Sequence, residues 1–559
     1  MSTEWIPFVQ LSGVSYTYED STSPTLEQIS LEVQSGEWLM IIGGSGSGKS
    51  TLCRVMNGQL PRIAGGQREG NVRIGDIDPG FAEPGLLASR MGSLGQDPDA
   101  ELVVGMVEDE IAFGPENLRV PAEEIGRRID HWTKALNLQS IRYESVHQLS
   151  GGQRQRTALA AVLSLQPQLL ILDEPAASLD PAGKQDLLRI IEDWHQSGGT
   201  LITASARWEE TVMLCSRVVI LSEGRIVLQG TPDELLLHHR SLLEQLYILP
   251  PRTGQSVASK AVMSAAGYSR YSDTDQNFHA DHTMKADKAI TRTTSKTEQH
   301  HQHSEKEHHN YYSETMSMAV PASATVVSRQ PVVEVRDLTY SYSGSAAYPA
   351  LDGVQFTIHV GEIVLLCGVN GSGKTTLTRL LSGLLQPPVR SIYRNGQDTG
   401  RQSIYDRAAD TGYVFQHPDH QWVASTVWEE CVYGIRASLN LRSRDILPES
   451  YRKEAEDMLR FAGLLERRED SPYSLGGGQK RLLAAVCQFL LPRPLYILDE
   501  PGSAADYFTI DRLLYLCRRA ASQGAALLIV THEPELFAGS GARMLTLEQG
   551  RLVEEKYSI

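Results

Sequence analysis

Two kinds of apolar spacing alternate along this chain. Leu39–Ile42, Leu169–Leu172, Leu201–Thr203, Ile363–Leu366 and Leu527–Val530 are short, unbroken apolar runs, which predict strands buried on both faces. Arg154–Leu165 and Lys480–Leu491 carry apolar residues at helical spacing. Strands alternating with helices predict a mainly parallel α/β sheet. Val9–Glu37 and Val333–Glu362 instead read as antiparallel strand pairs, turning at Glu19–Pro24 and Ser343–Ala347.

The pattern occurs twice. Gly43–Thr51 (GGSGSGKST) returns as Gly368–Thr376 (GVNGSGKTT), and Leu149–Arg156 (LSGGQRQR) as Leu475–Leu482 (LGGGQKRL). Leu169–Pro175 (LLILDEP) returns as Leu495–Pro501 (LYILDEP), and Ser222–Val227 (SEGRIV) as Glu548–Val553 (EQGRLV). The offset stays between 320 and 326 residues, so the chain is a duplicated domain. The expected boundaries are residues 1–249 for the first domain, 250–330 for a linker and 331–559 for the second.

The linker is rich in Ser, Thr and His and poor in aliphatics, a composition that predicts disorder. Its His300, His301, His303, His308 and His309 imply no fixed metal geometry. A net charge of −16 argues against a general nucleic-acid binder. The six cysteines form no Cys-x-x-Cys pair and read as buried and reduced. The N-terminus carries no basic-then-apolar signal pattern. No apolar run reaches the roughly 18–20 residues of a membrane span. Action at a membrane would therefore have to go through partners.

The chemistry sits in the repeats. Gly43, Gly44, Ser45, Gly46, Ser47, Gly48, Lys49, Ser50 and Thr51 fit the phosphate-loop pattern, as do Gly368, Val369, Asn370, Gly371, Ser372, Gly373, Lys374, Thr375 and Thr376. Each follows a predicted strand and opens a helix, so backbone N–H groups and a helix N-terminus converge on phosphate oxygens. Lys49 and Lys374 are expected to reach the terminal phosphates, and Ser50 and Thr375 to ligate Mg²⁺. Asp173 and Asp499 end apolar strands and are expected to hold the same ion, while Glu174 and Glu500 orient the attacking water.

With Leu-Ser-Gly-Gly-Gln at Leu149–Gln153 beside a phosphate loop and Asp-Glu-Pro, the sequence resembles ATP-binding-cassette (ABC) ATPases over both halves. The resemblance implies two P-loop NTPase domains, each with a mainly parallel sheet, an antiparallel β subdomain and a helical signature subdomain. It implies ATP and Mg²⁺ between two domains facing head to tail, here an internal pseudo-dimer. Each phosphate loop is then completed by the other domain's signature, Ser150, Gly151, Gly152 and Gln153 or Gly476, Gly477, Gly478 and Gln479. Tyr18 and Tyr342 match the aromatic that stacks on adenine, with Tyr16 and Tyr340 as core alternatives. Gln96 and Gln416 match the glutamine that senses Mg²⁺ and faces the membrane partner. Asp180 and Asp506 match the aspartate of the loop crossing between domains.

The halves are not equivalent. Gly476 replaces the signature serine, and Ala206 stands opposite His532, the family's γ-phosphate histidine. Both losses fall on the composite site built on Lys49, Asp173 and Glu174. The site built on Lys374, Asp499, Glu500 and His532 faces the intact Ser150, and is expected to carry most hydrolysis.

Gln96-Asp97-Pro98-Asp99, Gln416-His417-Pro418-Asp419 and Ala112–Leu118 (AFGPENL), which follows the acidic Val107-Glu108-Asp109, resemble stretches of energy-coupling-factor ATPases. Those drive uptake of vitamins or of cobalt and nickel, with a transmembrane coupling subunit and a substrate-binding membrane subunit. The fused form resembles ATPases assigned to thiamine or hydroxymethylpyrimidine uptake. The implied place is the cytoplasmic face of the cell membrane. Asp97–Leu102 and His417–Trp422 read as an acidic-rimmed groove for a partner helix. The alternative is a soluble tandem ABC protein such as a ribosome-associated translation factor, whose linker would be strongly basic and helical. A DNA-repair ATPase would carry zinc-binding cysteine pairs.

Overall fold

The computed structural model describes residues 8–19, 21, 23–63, 65–96, 101–177, 179–250, 328–342 and 349–557. Residues 251–327 of the expected linker, with its histidine cluster, the Asp97–Asp99 stretch and the Ser343–Ala347 turn lie outside the described residues. Both repeats belong to one compact unit.

Each half is built on a six-stranded sheet. In the first, the order is Met91–Leu94, Leu169–Asp173, Thr200–Ser205, Trp38–Ile42, Arg217–Ser222 and Arg225–Gly230, with only the last strand antiparallel. The second repeats it as Thr411–Val414, Leu495–Asp499, Ala526–Val530, Ile363–Cys367, Arg543–Glu548 and Arg551–Tyr557. The central strands are buried along their whole length, which explains why they read as unbroken apolar runs.

The expected antiparallel pairs are present. Val9–Thr17 lies between Leu26–Val33 and Gln67–Ile74, and Ser328–Tyr340 pairs with Leu351–Val360 and Ile392–Arg394. The strand beginning at Ser328 enters the second domain slightly before the expected boundary at residue 331. Three helices form the signature region of each half: Val107–Asn117, Ala122–Ala135 and Gly151–Ser164, and then Val427–Ser438, Glu449–Phe461 and Gly477–Phe489. Among the described residues no helix is long and apolar enough to cross a membrane. The six cysteines are unpaired, and all but Cys487 are buried.

Candidate active site

The phosphate loops sit at the carboxyl ends of Trp38–Ile42 and Ile363–Cys367, where helices Lys49–Met56 and Lys374–Ser382 begin. Gly48 and Gly373 take φ of 100° and 106°, a left-handed backbone that glycine adopts without a Cβ penalty. Each lysine bonds its own loop. Lys49 Nζ donates to the carbonyls of Gly43 at 2.6 Å and Gly44 at 3.2 Å, and Lys374 Nζ to those of Gly368 at 2.8 Å and Val369 at 3.0 Å. The buried hydroxyls of Ser47 and Ser372 have no hydrogen-bond partner. Both loops are therefore shaped around polar atoms that protein does not supply.

The loops face the opposite half's signature. The Gly478 N–H donates to Ser45 Oγ at 2.8 Å, and a Cβ at Gly476 would stand 3.1 Å from the Gly46 nitrogen. A Cβ at Gly152 would stand 3.6 Å from Asn370 Nδ2. Two aspartates lock the arrangement from opposite sides. Asp180 Oδ1 caps its own helix at the Gly183 N–H (2.8 Å), while Oδ2 accepts from the Asn370 N–H at 3.0 Å. Asp506 Oδ1 accepts from the Thr509 N–H at 2.8 Å, while Oδ2 accepts from the Ser45 N–H at 2.5 Å. Each aspartate thus couples a helix N-terminus in one half to a phosphate loop in the other. The Asn370 and Gly183 N–H bonds outweigh burial and hold the Asp180 carboxyl below its ordinary range.

The signatures differ as the sequence predicts. Ser150 Oγ accepts from the Gln153 N–H, and Gln153 Oε1 in turn accepts from the Ser150 N–H at 2.8 Å, a complete capping box. Gly476 supplies no hydroxyl. Gln479 Oε1 still accepts its N–H at 3.1 Å and is steadied by Arg467 Nη1 at 2.9 Å.

The carboxylates differ as well. In the second half Tyr413 OH donates to Asp499 Oδ2 at 2.9 Å, and Gln416 Nε2 donates to Glu500 Oε2 at 3.1 Å. His532 Nε2 lies 2.7 Å from Glu500 Oε1, but the ring is not aligned for a hydrogen bond. Burial pushes Asp499 up to about 6, and neighbouring Glu500 adds to it, against the Tyr413 bond and Lys374. In the first half Lys49 Nζ is 3.9 Å from Glu174 Oε1. Burial raises Glu174 to about 7, Asp173 adds to this, and Lys49 and Arg481 oppose it. A cavity of about 60 Å³ lies beside Ala206, lined also by Glu174, Thr203 and Arg207. Gln96 is placed differently from Gln416: its Nε2 would be 3.5 Å from a Cβ at Gly477, across the interface.

Mg²⁺ fits this donor set. Asp173 Oδ1 is buried without a hydrogen-bond partner, an oxygen left for a cation. Tyr18 OH and Tyr342 OH lie 3.1 Å and 3.2 Å from Thr51 Oγ1 and Thr376 Oγ1, beside the loops. Tyr16 is fully buried and donates to the Gly65 carbonyl at 2.5 Å, so it is a core residue. Tyr340 packs edge-on against Tyr342.

The His417–Trp422 loop ties its tryptophan to its own half and leaves Asp419 at the surface. Trp422 is buried in the core, its Nε1 donates to Asp419 Oδ1 at 3.2 Å, and Lys480 Nζ lies 2.7 Å from the same oxygen.

Several residues carry no motif and were not singled out from the sequence. Arg481 is buried between Glu174, Glu500 and Asp506, where the first half has Gln155. Arg207 and Lys184 both bond Glu533 across the interface at 2.6 Å. Glu110 and Glu430 take the N–H groups of Val103 and Val104, and of Val423 and Ala424, fixing the loop after each glutamine.

A family model described as "ABC transporter" matches residues 26–177 and 351–503. A protein of Methanosarcina acetivorans named "Putative ABC transporter ATP-binding protein" is 31% identical over 99% of this chain and 86% of its own length. Similarly named proteins of Caldanaerobacter subterraneus and Vibrio parahaemolyticus are each 29% identical, over 96% and 98% of this chain and 88% of their own lengths.

Proposed function

The chain belongs to the ABC transporter family, and from that premise we propose that it is the ATP-hydrolysing subunit of an importer of the energy-coupling-factor type, seated on the cytoplasmic face of a membrane. Its cargo on this reading is a vitamin, a vitamin precursor such as thiamine or hydroxymethylpyrimidine, or cobalt or nickel. Its partners are a transmembrane coupling subunit and a substrate-binding membrane subunit.

The observation that carries this reading is a matched pair of exposed apolar positions. Val103 and Val423 are 71% and 63% exposed, and Phe113 and Tyr433 are 44% and 54% exposed. Each pair is separated by 320 residues, the offset of Gln96 and Gln416, so both halves present the same apolar face beside the glutamine loop. Repeated apolar exposure next to a nucleotide-responsive loop suits docking of a membrane subunit. The sequence likeness of Gln416–Asp419 and Ala112–Leu118 to energy-coupling-factor ATPases supports the subtype.

In the mechanism, the lysine ammonium groups leave their own loop carbonyls for the phosphates of ATP. Asp180 and Asp506 then hold the halves closed. Glu500 orients the attacking water and takes its proton, and His532 and Ser150 face the γ-phosphate. Asp499, Thr375 and Gln416, with Asp173, Ser50 and Gln96 in the other site, would hold Mg²⁺. When bound, Mg²⁺ neutralises charge on the phosphates. Gln416 would exchange its bond to Glu500 for Mg²⁺ when nucleotide binds and regain it when phosphate leaves, and the loop leading to Val423 and Tyr433 would follow.

The test is membrane fractionation of cells making the chain. Wild-type chain should sediment with membranes. Val103→Asp with Val423→Asp should remain in the supernatant and still bind ATP. Uptake of labelled thiamine and of Co²⁺ by cells lacking the chain identifies the cargo class. Co-sedimentation with ribosomes instead of membranes would support the soluble tandem reading and end this one.

A further inference from the structure

Arg207 and Glu533 hold the same position in the two halves. Each directly follows the site that is Ala206 in one half and His532 in the other, and 326 residues separate them, as they separate Glu174 from Glu500. In a head-to-tail pair, equivalent residues near the pseudo-two-fold axis meet one another. These two do, with Arg207 Nη2 donating to Glu533 Oε2 at 2.6 Å. Ser503 Oγ donates to the Ala177 carbonyl at 2.6 Å, again across 326 residues, and marks the same axis.

The contact is closed to solvent on the arginine side: Arg207 is 5% exposed. Glu533 also receives Lys184 Nζ at 2.6 Å on its other oxygen. Arg207 donates in addition to the Ala505 carbonyl at 3.4 Å, and its Nε lies 3.5 Å from Glu209 Oε1. A true two-fold axis would place a residue against its own copy. Pairing two first halves would set Arg207 against Arg207, and pairing two second halves would set Glu533 against Glu533. Either sets like charges together at the centre of the interface, which discriminates against the wrong partner.

We propose that Arg207 and Glu533 are a pairing code, which makes the first half accept only a second half and excludes the like-with-like dimer. The surface around Arg207 has one occupant, the second half of the same chain. The code preserves the asymmetry of the two ATP sites, because a pair of first halves would lack both histidines and a pair of second halves both signature serines.

The test uses full-length chains. Arg207→Glu and Glu533→Arg each place like charges at the axis, and each should lower ATPase activity at least about tenfold. The double exchange restores opposite charges and should recover about three- to tenfold over either single variant, short of wild type because Lys184 and Glu209 keep their charges. Mixing the two single variants is the decisive arm. Each chain alone carries matching charges in both halves, and complementarity returns only between chains. The mixture should therefore form ATP-dependent chain dimers by sedimentation and exceed either variant in activity. Arg207→Met with Glu533→Met removes the charges at similar volume and should keep about half or more of the activity. The proposal is overturned if the double exchange is no better than the singles, if the mixture stays monomeric, or if the methionine pair is as inactive as the single reversals.

Discussion

His532 Nε2 stands 2.7 Å from Glu500 Oε1, and Gln416 Nε2 donates to the other oxygen of the same carboxylate at 3.1 Å. Glu174 has no counterpart to that histidine, because Ala206 fills its place, and Lys49 Nζ stands 3.9 Å away. A catalytic carboxylate bonded by Gln416 and flanked by the His532 ring is oriented; one beside a cavity is less so. Glu500→Gln should therefore remove at least about nine-tenths of steady-state ATPase activity, while Glu174→Gln should remove less than about half. Equal losses in the two variants would refute the asymmetry.

The cavity beside Ala206 makes the deficit repairable. About 60 Å³ is free there, lined by Thr203 and Arg207 and open to Glu174. That is space for several waters, so a replacement ring at 206 need not overpack the core. In a Glu500→Gln background, where only the Lys49 site turns over, Ala206→His should raise the residual rate about tenfold. One restored phosphate donor is worth up to about 10²–10³, and the missing signature serine keeps the gain below that. No change in rate with normal folding would place the defect in Gly476 alone.

Much of this site was legible because its chemistry is local in sequence. A phosphate loop needs glycines, a lysine and a hydroxyl within nine residues, and both copies stand where a buried strand meets a helix. The lost histidine and serine could be read by aligning the copies, and the structure puts Gly476 beside Ser45 and Gly46, in the site that also has Ala206. What could not be read depends on packing between distant segments. Arg207 and Glu533 have no motif, and their signal was only opposite charge at equivalent positions. Tyr413 reaches Asp499 because neighbouring parallel strands end together, a register that sequence alone does not fix. Asp419 reads as a rim residue, and its ion pair with Lys480, remote in sequence, is set by packing.

The two crossing aspartates should differ in cost. Asp506 is 4% exposed and serves both the Thr509 N–H and the Ser45 N–H, whereas Asp180 is only half-buried. Asp506→Ala should lose about 2–3 kcal/mol, from a buried helix cap plus the part-buried Ser45 N–H left without a partner. Asp180→Ala should lose about 1 kcal/mol, close to the cap alone. Denaturant melts of the two variants at neutral pH measure the difference, and the order should not reverse.

The interface ion pair predicts how the protein responds to acid. Burial by itself would raise Glu533, but Arg207 and Lys184, both within 2.6 Å, bring it down to about 2 from its ordinary 4.5. A carboxyl whose value falls on folding contributes stability that is complete above its unfolded value and disappears as pH drops through the folded one. The contribution should therefore be constant from pH 7 to about 4.5 and decline from there toward pH 2. Glu533→Gln keeps the shape and removes the titration, so the gap in melting temperature between wild type and this variant is the observable. It should stay level between pH 7 and 5 and narrow steadily below 4.5. A gap that already closes between pH 7 and 5 would mean that the carboxylate is not held by Arg207 and Lys184 as a buried ion pair. A gap that widens in acid would mean that the sign is wrong, with Glu533 raised by burial and the two halves held together elsewhere.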